Sequence, residues 1–377
     1  MGSRRLSGNL AVALLSFLFC LGALELALRL TAASRQVYPG ILFHTDEANI
    51  KLWCYDEHFI GVADYDLRAE HPFTRLSYLG NVDNDPAYTD VESTQVPKAV
   101  EVALNGEGFR ERAFDQLEKR VAATAVTLVI GDSFGFGQGV RLEDRFTEIL
   151  ERRLNGTDTG RQAREAREHT LINVCVPGNN VERISKGLAR FLPRFSPERV
   201  IYAYTLNDPK RSIRVHEMEQ SIYDFMHLRE NQLNEILPFG ATSVDSRLLR
   251  WVATRVARQR LAEATVDWYH QLYAPNAGWR MTQKKLREMH EVCRDAGAPM
   301  TLVVFPLFHG LADYPFAAIH EEIASFARDS GISHVDLLPA FAGGDERTYW
   351  VHPKDFHPNH LGHRVAAERL LTAIDWD

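Results

Sequence analysis

The chain has 377 residues, of which 45% are hydrophobic and 25% are charged, and its formal net charge at pH 7 is −7. This composition is typical of a folded protein with a sizeable core and excludes a chain that is disordered throughout. The acidic balance argues against a nucleic-acid-binding protein, which normally carries a basic excess. The four cysteines lack the spacing of a zinc site and form no disulfide framework, although the three beyond Cys20 leave room for one pair.

Residues 1–35 differ from the rest of the chain. Arg4 and Arg5 precede an apolar run that extends from Leu10 to Ala33. A run of this length can span a bilayer, and basic residues ahead of it place that end in the cytoplasm. We therefore expect an N-terminal transmembrane helix with the following domain on the extracytoplasmic side. The alternative is a signal peptide that is cleaved after the TAA sequence.

Residues 36–120 are rich in aromatic, acidic and turn-forming residues and show no long helical period. The stretch NVDNDPAYTD, for example, is typical of a loop. We interpret this part of the chain as an irregular lead-in that contains β structure.

Five apolar stretches after Val126 predict the strands of one sheet. They read VTLVIGDS, HTLINVCVPG, ERVIYAYTLNDP, APMTLVVFPL and ISHVDLLP. Helical stretches separate them, and the helix GHRVAAERLLTAI closes the chain. Apolar strands that alternate with helices are typical of a parallel sheet covered on both faces. Residues 121–377 are therefore expected to form one α/β domain.

The first of these helices is predicted over LEDRFTEILERRLNG, because its apolar residues recur on one helical face. The residues predicted on that face are Leu142, Phe146, Ile149, Leu150 and Leu154.

A helical insertion at about residues 210–282 separates the third and fourth strands. Its arginine-rich stretch SRLLRWVATRVARQRLAEA has two interpretations, an interfacial helix at a membrane or a helix that packs on the domain with a solvated basic face. The aromatic cluster VDWYHQLYAPNAGW is expected either to pack as local core or to line the substrate side.

Reactive residues follow the strands at the edge where parallel sheets bind their ligands, beyond the carboxyl ends. A hydroxyl, an imidazole, an acid and groups that donate hydrogen bonds to an oxyanion are the components of acyl transfer. The residues of these types at the strand ends and in the final loop are Asp132, Ser133, Gly178, Asn207, Asp355 and His357.

The order of these residues resembles the SGNH (or GDSL) hydrolase superfamily. The resemblance rests on Ser133 in GDS, Gly178 in VPGNN, Asn207 in TLNDP and His357 in DFHPNHLGH, and it covers about residue 126 to the C-terminus apart from the insertion. Upstream, LNGEGFRER is similar to a lead-in motif of membrane-anchored bacterial members. The resemblance implies a three-layer, flavodoxin-like α/β/α fold with a five-stranded parallel sheet in the order 2-1-3-4-5. It also implies esterase or acyltransferase chemistry without a metal or a cofactor.

The resemblance assigns a role to each residue. Ser133 is the nucleophile and His357 the base that accepts its proton. The backbone N–H groups of Ser133 and Gly178 and the side-chain amide of Asn207 form the oxyanion hole. The glycines of FGFGQG are expected to leave room above Ser133, and Asp132 to brace the loop by hydrogen bonding. His360 and His363 are expected to be structural, with His363 at the start of the last helix.

The acid that orients His357 departs from the pattern of the superfamily. Its members commonly place an aspartate three residues before the histidine, where this chain has Lys354, which cannot accept a hydrogen bond. Asp355 stands two residues before His357, and in an extended segment such residues project to the same side. We therefore predict a Ser–His–Asp site with Asp355. The alternative is a Ser–His dyad in which a backbone carbonyl orients the imidazole.

Three functions are compatible with this reading. The first is an anchored extracytoplasmic esterase that removes acyl groups, acetyl above all, from a glycan or glycolipid of the cell envelope. The second is an acyltransferase that modifies an exported polysaccharide with an acyl group received from a membrane protein. The third is a non-catalytic binding or assembly protein on the same fold. The four intact motifs favour catalysis, with an acylated carbohydrate or lipid as substrate.

Overall fold

The computed structural model describes residues 2–30, 41–42, 75–79, 99–156, 167–209, 248, 266–275, 277–352 and 355–376. Most of the insertion, including nearly all of its arginine-rich stretch, lies outside the described residues. The chain divides into two compact units, one with the N-terminal segment and one with the α/β domain.

The first unit contains helix α1, Gly2–Leu30. Apolar side chains along it, among them Leu15 and Phe19, are more than half exposed. The carboxylate of Glu25 accepts a hydrogen bond of 2.7 Å from the backbone N–H of Leu248. The expected helix is present, but none of the helices in the described part of the chain is long and apolar enough to cross a membrane. The predicted transmembrane character of this segment is therefore not supported.

The described residues of the lead-in include three short strands. They form an antiparallel sheet in the order β1-β2-β3. Their bounds are Ile41–Leu42 for β1, Arg75–Leu79 for β2 and Ala99–Ala103 for β3.

The α/β domain is built on a five-stranded sheet in the order β5-β4-β6-β7-β8, with all neighbours parallel. In chain order this is 2-1-3-4-5, so the predicted fold is confirmed. Six of the seven residues of β4, AVTLVIG, are buried, because helices cover a parallel sheet on both faces. The strands are Ala125–Gly131 (β4), His169–Asn173 (β5), Arg199–Tyr204 (β6), Met300–Val304 (β7) and Ser333–Asp336 (β8).

Helices flank this sheet, and a two-stranded antiparallel hairpin precedes the last of them. The helices are Phe114–Val121 (α2), Ser133–Phe136 (α3), Phe146–Leu154 (α4), Val181–Phe195 (α5), Ala277–Asp295 (α6), Ala317–Asp329 (α7), Leu338–Phe341 (α8) and His360–Ala373 (α9). The hairpin strands are Trp350–His352 (β9) and Asp355–Pro358 (β10). Helix α9 packs against α4, and α5 packs against α6. Residues 266–273, from the aromatic cluster, are also helical.

The prediction that Leu142 belongs to the buried face of α4 is wrong. A 3₁₀ turn, Leu142–Asp144, comes before the helix, and Arg145 is extended, so the helical face starts only at Phe146. Leu142 is accordingly exposed, whereas Phe146 and Leu150 are fully buried.

Strand β5 forms one edge of the five-stranded sheet, and polar side chains occupy its outer side. The carboxylates of Glu151 and Glu111 accept hydrogen bonds from the backbone N–H groups of Leu171 and Asn173, at 2.7 Å and 2.9 Å. Further hydrogen bonds to the edge come from Arg112 and Asn155. These side chains replace the neighbouring strand that an inner strand would have.

Candidate active site

Ser133 is separated from the carboxyl end of β4 by Asp132 alone and is the first residue of the short helix α3. Its Oγ lies 2.8 Å from Nε2 of His357, which is 224 residues further along the chain. The serine is 8% exposed and thus only just accessible. The structure therefore brings together the two residues that the sequence predicts as nucleophile and base.

Asp132 braces the turn from strand to helix, as expected. Its Oδ1 accepts a hydrogen bond of 3.0 Å from the backbone N–H of Phe134, which caps α3. Its Oδ2 accepts a hydrogen bond of 2.9 Å from the hydroxyl of Thr205. The side chain is buried, so it holds the loop and does not face the substrate.

Two glycines around Ser133 allow the backbone to pack closely. A Cβ on Gly135 would lie 2.4 Å from Sγ of Cys175, and a Cβ on Gly131 would lie 2.7 Å from the backbone oxygen of Ala203. These glycines are required because the loop packs closely on the neighbouring strands. The expectation that the glycines of FGFGQG leave room above Ser133 stays a prediction.

His357 lies on β10 and is therefore placed by the hairpin. The ring of Phe134 is 5.2 Å from the imidazole, centroid to centroid. Asn359, which sequence reasoning missed, joins the hairpin to α9. Its amide donates to the backbone oxygens of Thr348 and Trp350, while its Oδ1 accepts from backbone N–H groups in the first turn of α9. An asparagine directly before an apolar helical stretch is the available sequence signal for such a cap.

Asp355 is the first residue of β10, and its backbone pairs with that of His352. It stands two residues before His357 in the same strand, although the pairing with β9 shifts register between Asp355 and Pro358. The side chain of Asp355 lies outside what the structure describes. Its role as the orienting acid stays a prediction.

The predicted oxyanion donors lie at the ends of β4, β5 and β6. Gly178 follows β5 in a turn closed by a hydrogen bond from the N–H of Asn179 to the oxygen of Val176, and its φ is +79°, which favours glycine. Within the described residues, no group accepts a hydrogen bond from the backbone N–H of Ser133 or Gly178, or from the side-chain NH₂ of Asn207. Their role as donors to an oxyanion stays a prediction.

A buried arginine from the LNGEGFRER stretch holds the loop that follows Ser133. The guanidinium of Arg110 donates to the backbone oxygens of Phe136, Gly137 and Val140, at 3.3, 2.5 and 2.5 Å. Burial, and next the charge of Arg145, lower the pKa of Arg110 to about 9, so the side chain stays cationic at neutral pH. Sequence reasoning singled out this motif without giving it a role.

Arg145 forms a second layer behind Arg110. It is fully buried and donates to the backbone oxygen of Arg110 at 2.6 Å. Its guanidinium also pairs with Glu148 at 2.8 Å and with Glu111 at 3.3 Å. The arginines are thus held by the lead-in motif and by α4 together.

His363 is a structural residue, as expected. Its Nδ1 accepts a hydrogen bond of 3.3 Å from the backbone N–H of Phe146, and the two rings are stacked. Burial, with the nearby charges of Arg110 and Arg145, lowers the pKa of His363 to about 3, so it is neutral. It does not start the last helix, which begins at His360 because Asn359 caps it.

Cys20, Cys175 and Cys293 are free thiols. In the part of the chain that the structure describes, no group of three or more His, Cys, Asp or Glu side chains is arranged to hold a metal ion.

The sequence model of the GDSL-like Lipase/Acylhydrolase family matches residues 129–365. No curated protein matches the chain. Among solved structures, the chain is similar to TesA, at 15% identity and a TM-score of 0.40 over 66% of this chain and 97% of TesA. It is also similar to a catalytic mutant of the acetylxylan esterase Axe2 from Geobacillus stearothermophilus, at 14% identity and a TM-score of 0.40 over 67% of this chain and 95% of the Axe2 chain. A third is the esterase EstA from Pseudoalteromonas sp., at 12% identity and a TM-score of 0.37 over 66% and 96%.

The family match spans more than half of the chain and includes all four predicted motifs, from the strand before Ser133 to the first turn of α9. The fold described above is the one that the resemblance to the SGNH superfamily implies. The chain belongs to the GDSL-like lipase and acylhydrolase family and is an enzyme that hydrolyses ester bonds.

Proposed function

We propose that the protein is a serine esterase that uses Ser133 as nucleophile, His357 as general base and Asp355 as the acid that orients His357. The observation that carries the proposal is the 2.8 Å separation between Oγ of Ser133 and Nε2 of His357. This distance is within the range required for proton transfer from a hydroxyl to an imidazole.

In the first half of the reaction, Oγ of Ser133 attacks the ester carbonyl while its proton passes to Nε2 of His357. The carbonyl oxygen becomes an oxyanion, and the N–H groups of Ser133, Gly178 and Asn207 donate to it. The tetrahedral intermediate then expels the alcohol, which takes the proton from His357. The product of this half is an acyl-serine.

In the second half, water replaces the alcohol. His357 removes a proton from the water, whose oxygen attacks the acyl-serine. Collapse of the second tetrahedral intermediate returns the proton to Oγ of Ser133 and releases the carboxylic acid. The same residues thus serve both halves, with His357 alternating between base and acid.

The surroundings of Ser133 support a short acyl group, such as acetyl. The serine is 8% exposed, and the ring of Phe134 lies against His357. Phe305 and Phe308 follow at 6.0 Å and 6.3 Å from Phe134. A nucleophile that is almost fully buried favours a small acyl chain over a long one.

An exposed aromatic side chain on the strand that carries His357 supports a carbohydrate as the acceptor part of the substrate. Phe356 is 47% exposed, and its ring lies 4.7 Å from that of Trp350. The C–H face of a sugar ring packs well on such a surface. We therefore propose an O-acetylated glycan or glycolipid of the cell envelope as the substrate.

The location outside the cytoplasm is proposed from the sequence. Arg4 and Arg5 precede an apolar helical segment, as in segments that direct export. Fractionation of cells that produce the full chain, with N-terminal sequencing of the recovered protein, tests this location. Recovery of the full chain from the cytosol would contradict it.

The proposed activity is tested by incubating the full chain with p-nitrophenyl acetate and analysing it by mass spectrometry. We expect release of acetate and a transient acetyl adduct on Ser133, with neither in a folded Ser133→Ala variant. Unchanged hydrolysis by Ser133→Ala would overturn the proposal. Transfer of the acetyl group to an added sugar, in place of acetate release, would favour the acyltransferase alternative.

The substrate class is tested with Phe356→Ala. We expect KM to rise about tenfold for an acetylated oligosaccharide, the loss typical of one stacked aromatic contact, with little change for p-nitrophenyl acetate. Equal effects on the two substrates would contradict a role of Phe356 in binding sugar.

A further inference from the structure

A buried hydroxyl at the end of β6 has no role in the mechanism above. Thr205 is 1% exposed, and its Oγ1 lies 2.6 Å from Oδ1 of Asn207. The same oxygen lies 2.9 Å from Oδ2 of Asp132 and 3.4 Å from Oδ1 of Asp208. A hydroxyl carries a single hydrogen, so three oxygens compete for it. The contact with Asn207 is the shortest of the three.

The rotation of the Asn207 amide decides what this residue offers to a substrate. With its oxygen against Thr205, its NH₂ group is directed away from that hydroxyl. Turned by 180°, the amide would place its NH₂ against Thr205 and its oxygen where the NH₂ had been. An NH₂ group stabilises an oxyanion, whereas a carbonyl oxygen repels one. A group that fixes this rotation therefore influences the rate of the reaction.

Thr205 is itself held firmly. Its backbone N–H donates to Oδ2 of Asp208 at 3.2 Å, and the N–H of Asp208 donates back to the oxygen of Thr205 at 3.1 Å. The hydroxyl of Tyr202 donates to Oδ2 of Asp208 at 3.0 Å. Asp208 and Tyr202 are fully buried, so the hydroxyl of Thr205 has a fixed position from which to orient its neighbours.

The same hydroxyl reaches the loop of the nucleophile. One carboxylate oxygen of Asp132 lies 2.9 Å from Oγ1 of Thr205, and the other accepts the N–H of Phe134. Thr205 therefore lies between the residue that precedes Ser133 and the amide of Asn207. A single side chain connects the turn that carries the nucleophile with a donor of the oxyanion hole.

We propose that Thr205 is a positioning residue, which holds the amide oxygen of Asn207 and so directs its N–H groups to the acyl oxygen. The inference rests on the proposed function, because it requires Asn207 to be a donor of the oxyanion hole. Serine at this position retains the hydroxyl. Valine has nearly the same shape but neither donates nor accepts.

The test is a double-mutant cycle on hydrolysis of p-nitrophenyl acetate by the full chain. We expect Thr205→Val to lower kcat about tenfold, the effect of one ordinary hydrogen bond, with KM within a factor of two. Thr205→Ser should restore most of kcat. Asn207→Ala should lower kcat by about 10²–10³. In the Asn207→Ala background, Thr205→Val should lower kcat by a smaller factor than it does alone, because the contribution through Asn207 is gone and only the contact with Asp132 remains to be lost.

The possible failures are distinguishable. If Asn207→Ala leaves kcat unchanged, the proposed oxyanion hole is wrong. Two other results would overturn only the inference about Thr205. In the first, Asn207→Ala lowers kcat and Thr205→Val lowers it by the same factor in both backgrounds. In the second, Thr205→Val raises KM and leaves kcat unchanged. Thermal unfolding of each variant shows whether it is folded. Thr205→Ala, which adds no bulk, replaces Thr205→Val in the cycle if the latter does not fold.

Discussion

Ser133 and His357 lie on parts of the domain that are held in place by different means. Ser133 follows an inner strand of the sheet, and the guanidinium of buried Arg110 binds three backbone oxygens of the loop after it. His357 lies on a two-stranded hairpin, next to Phe356, which is half exposed. The side chain of Asn359 donates a hydrogen bond to the residues before the hairpin, and Val351 of the hairpin lies against Gly139 of the nucleophile loop.

The difference suggests how changes in each region affect the enzyme. The nucleophile loop is part of the core, so damage there should reduce the stability of the whole domain. The hairpin is peripheral, so damage there should displace the imidazole and reduce the rate while the domain stays folded. Each of the predictions that follow tests one side of this comparison.

The largest effect is expected on the hairpin side, from Asp355→Asn. If Asp355 orients His357, an amide at this position favours the wrong tautomer of the imidazole, and kcat should fall by up to ~10⁴. The unfolding transition should change little. Kinetics on p-nitrophenyl acetate, with urea denaturation alongside, measure both quantities.

A variant that keeps most of its activity, while His357→Ala is inactive in the same assay, would contradict the role of Asp355. A Ser–His dyad would then be the better description.

On the nucleophile side, Arg110→Met should destabilise the domain by about 3 kcal/mol. The change leaves three backbone oxygens of the loop without their charged donor. Hydrogen bonds to charged groups are worth about 1.5–3 kcal/mol each, but the cost of burying the guanidinium, which also lowers its pKa, offsets a large part of this gain. Urea denaturation measures the loss. Arg141→Met is the matched control, because Arg141 is exposed and its ion pair with Asp144 is worth about 1 kcal/mol at most. Similar losses in the two variants would contradict the comparison.

The contact between the two regions is tested by Gly139→Ala. Gly139 has a φ of +80°, and a Cβ there would lie 2.4 Å from Cγ1 of Val351, on the hairpin. We expect the hairpin to be pushed away from Ser133, and kcat to fall about 10²-fold, as for a misplacement of about 1 Å. Enzyme kinetics and thermal unfolding measure the two effects.

Gly343→Ala is the matched control, since Gly343 has a φ of +78° but nothing within 4 Å of its Cβ position. It carries the same backbone strain without the clash. The double variant Gly139→Ala/Val351→Ala should recover part of kcat. Equal losses of kcat in Gly139→Ala and Gly343→Ala would show that strain alone, and not the position of the hairpin, is responsible.

The smallest effect is expected at His363, whose ring joins α9 to α4. Its pKa in the folded protein is about 3, below its ordinary value of 6.5, so between these values the unfolded chain binds a proton that the folded chain does not. Stability should therefore fall as the pH falls from 6.5, by about 1.4 kcal/mol per pH unit for this one group.

His363→Phe removes the titrating group and retains an aromatic ring against Phe146. The free energy of unfolding, measured in urea between pH 6.5 and 4.5, should depend less on pH in this variant. An unchanged slope would indicate that other groups cause the loss of stability in acid.

The sequence predicts the sheet correctly because its strands are short apolar runs covered on both faces, a pattern that is local. Ser133 and His357 are also predicted from short motifs, since Ser133 follows a predicted strand and His357 lies in the loop before the last predicted helix. The role of Arg110 is not local, because its partners are 26–30 residues away. Leu142 was misplaced because periodicity continues through a 3₁₀ turn that interrupts the helix.

The glycines of the nucleophile loop also depend on contacts that are distant in sequence. The spacing in FGFGQG indicates that the backbone needs freedom, but only the structure shows that Gly135 faces Cys175 and that Gly139 faces Val351. Both partners are distant in sequence, so no local pattern identifies them. The proposed role of Thr205 is equally hard to predict. Thr205 is only two residues from Asn207, but its hydroxyl is also placed by contacts with Asp132 and Asp208, and no local pattern indicates the contact with Asp132.

The outer side of strand β5 has a consequence for how copies of the protein meet. An uncovered edge strand invites a strand from another molecule, which leads to sheet extension and aggregation. Here the N–H groups of Leu171 and Asn173 are already bound to Glu151 and Glu111, and Glu151 is in turn paired with Arg112. An arriving strand would have to displace these charged side chains and leave them without partners. This edge therefore resists intermolecular β-pairing, and crowding at high concentration should not join the molecules through it.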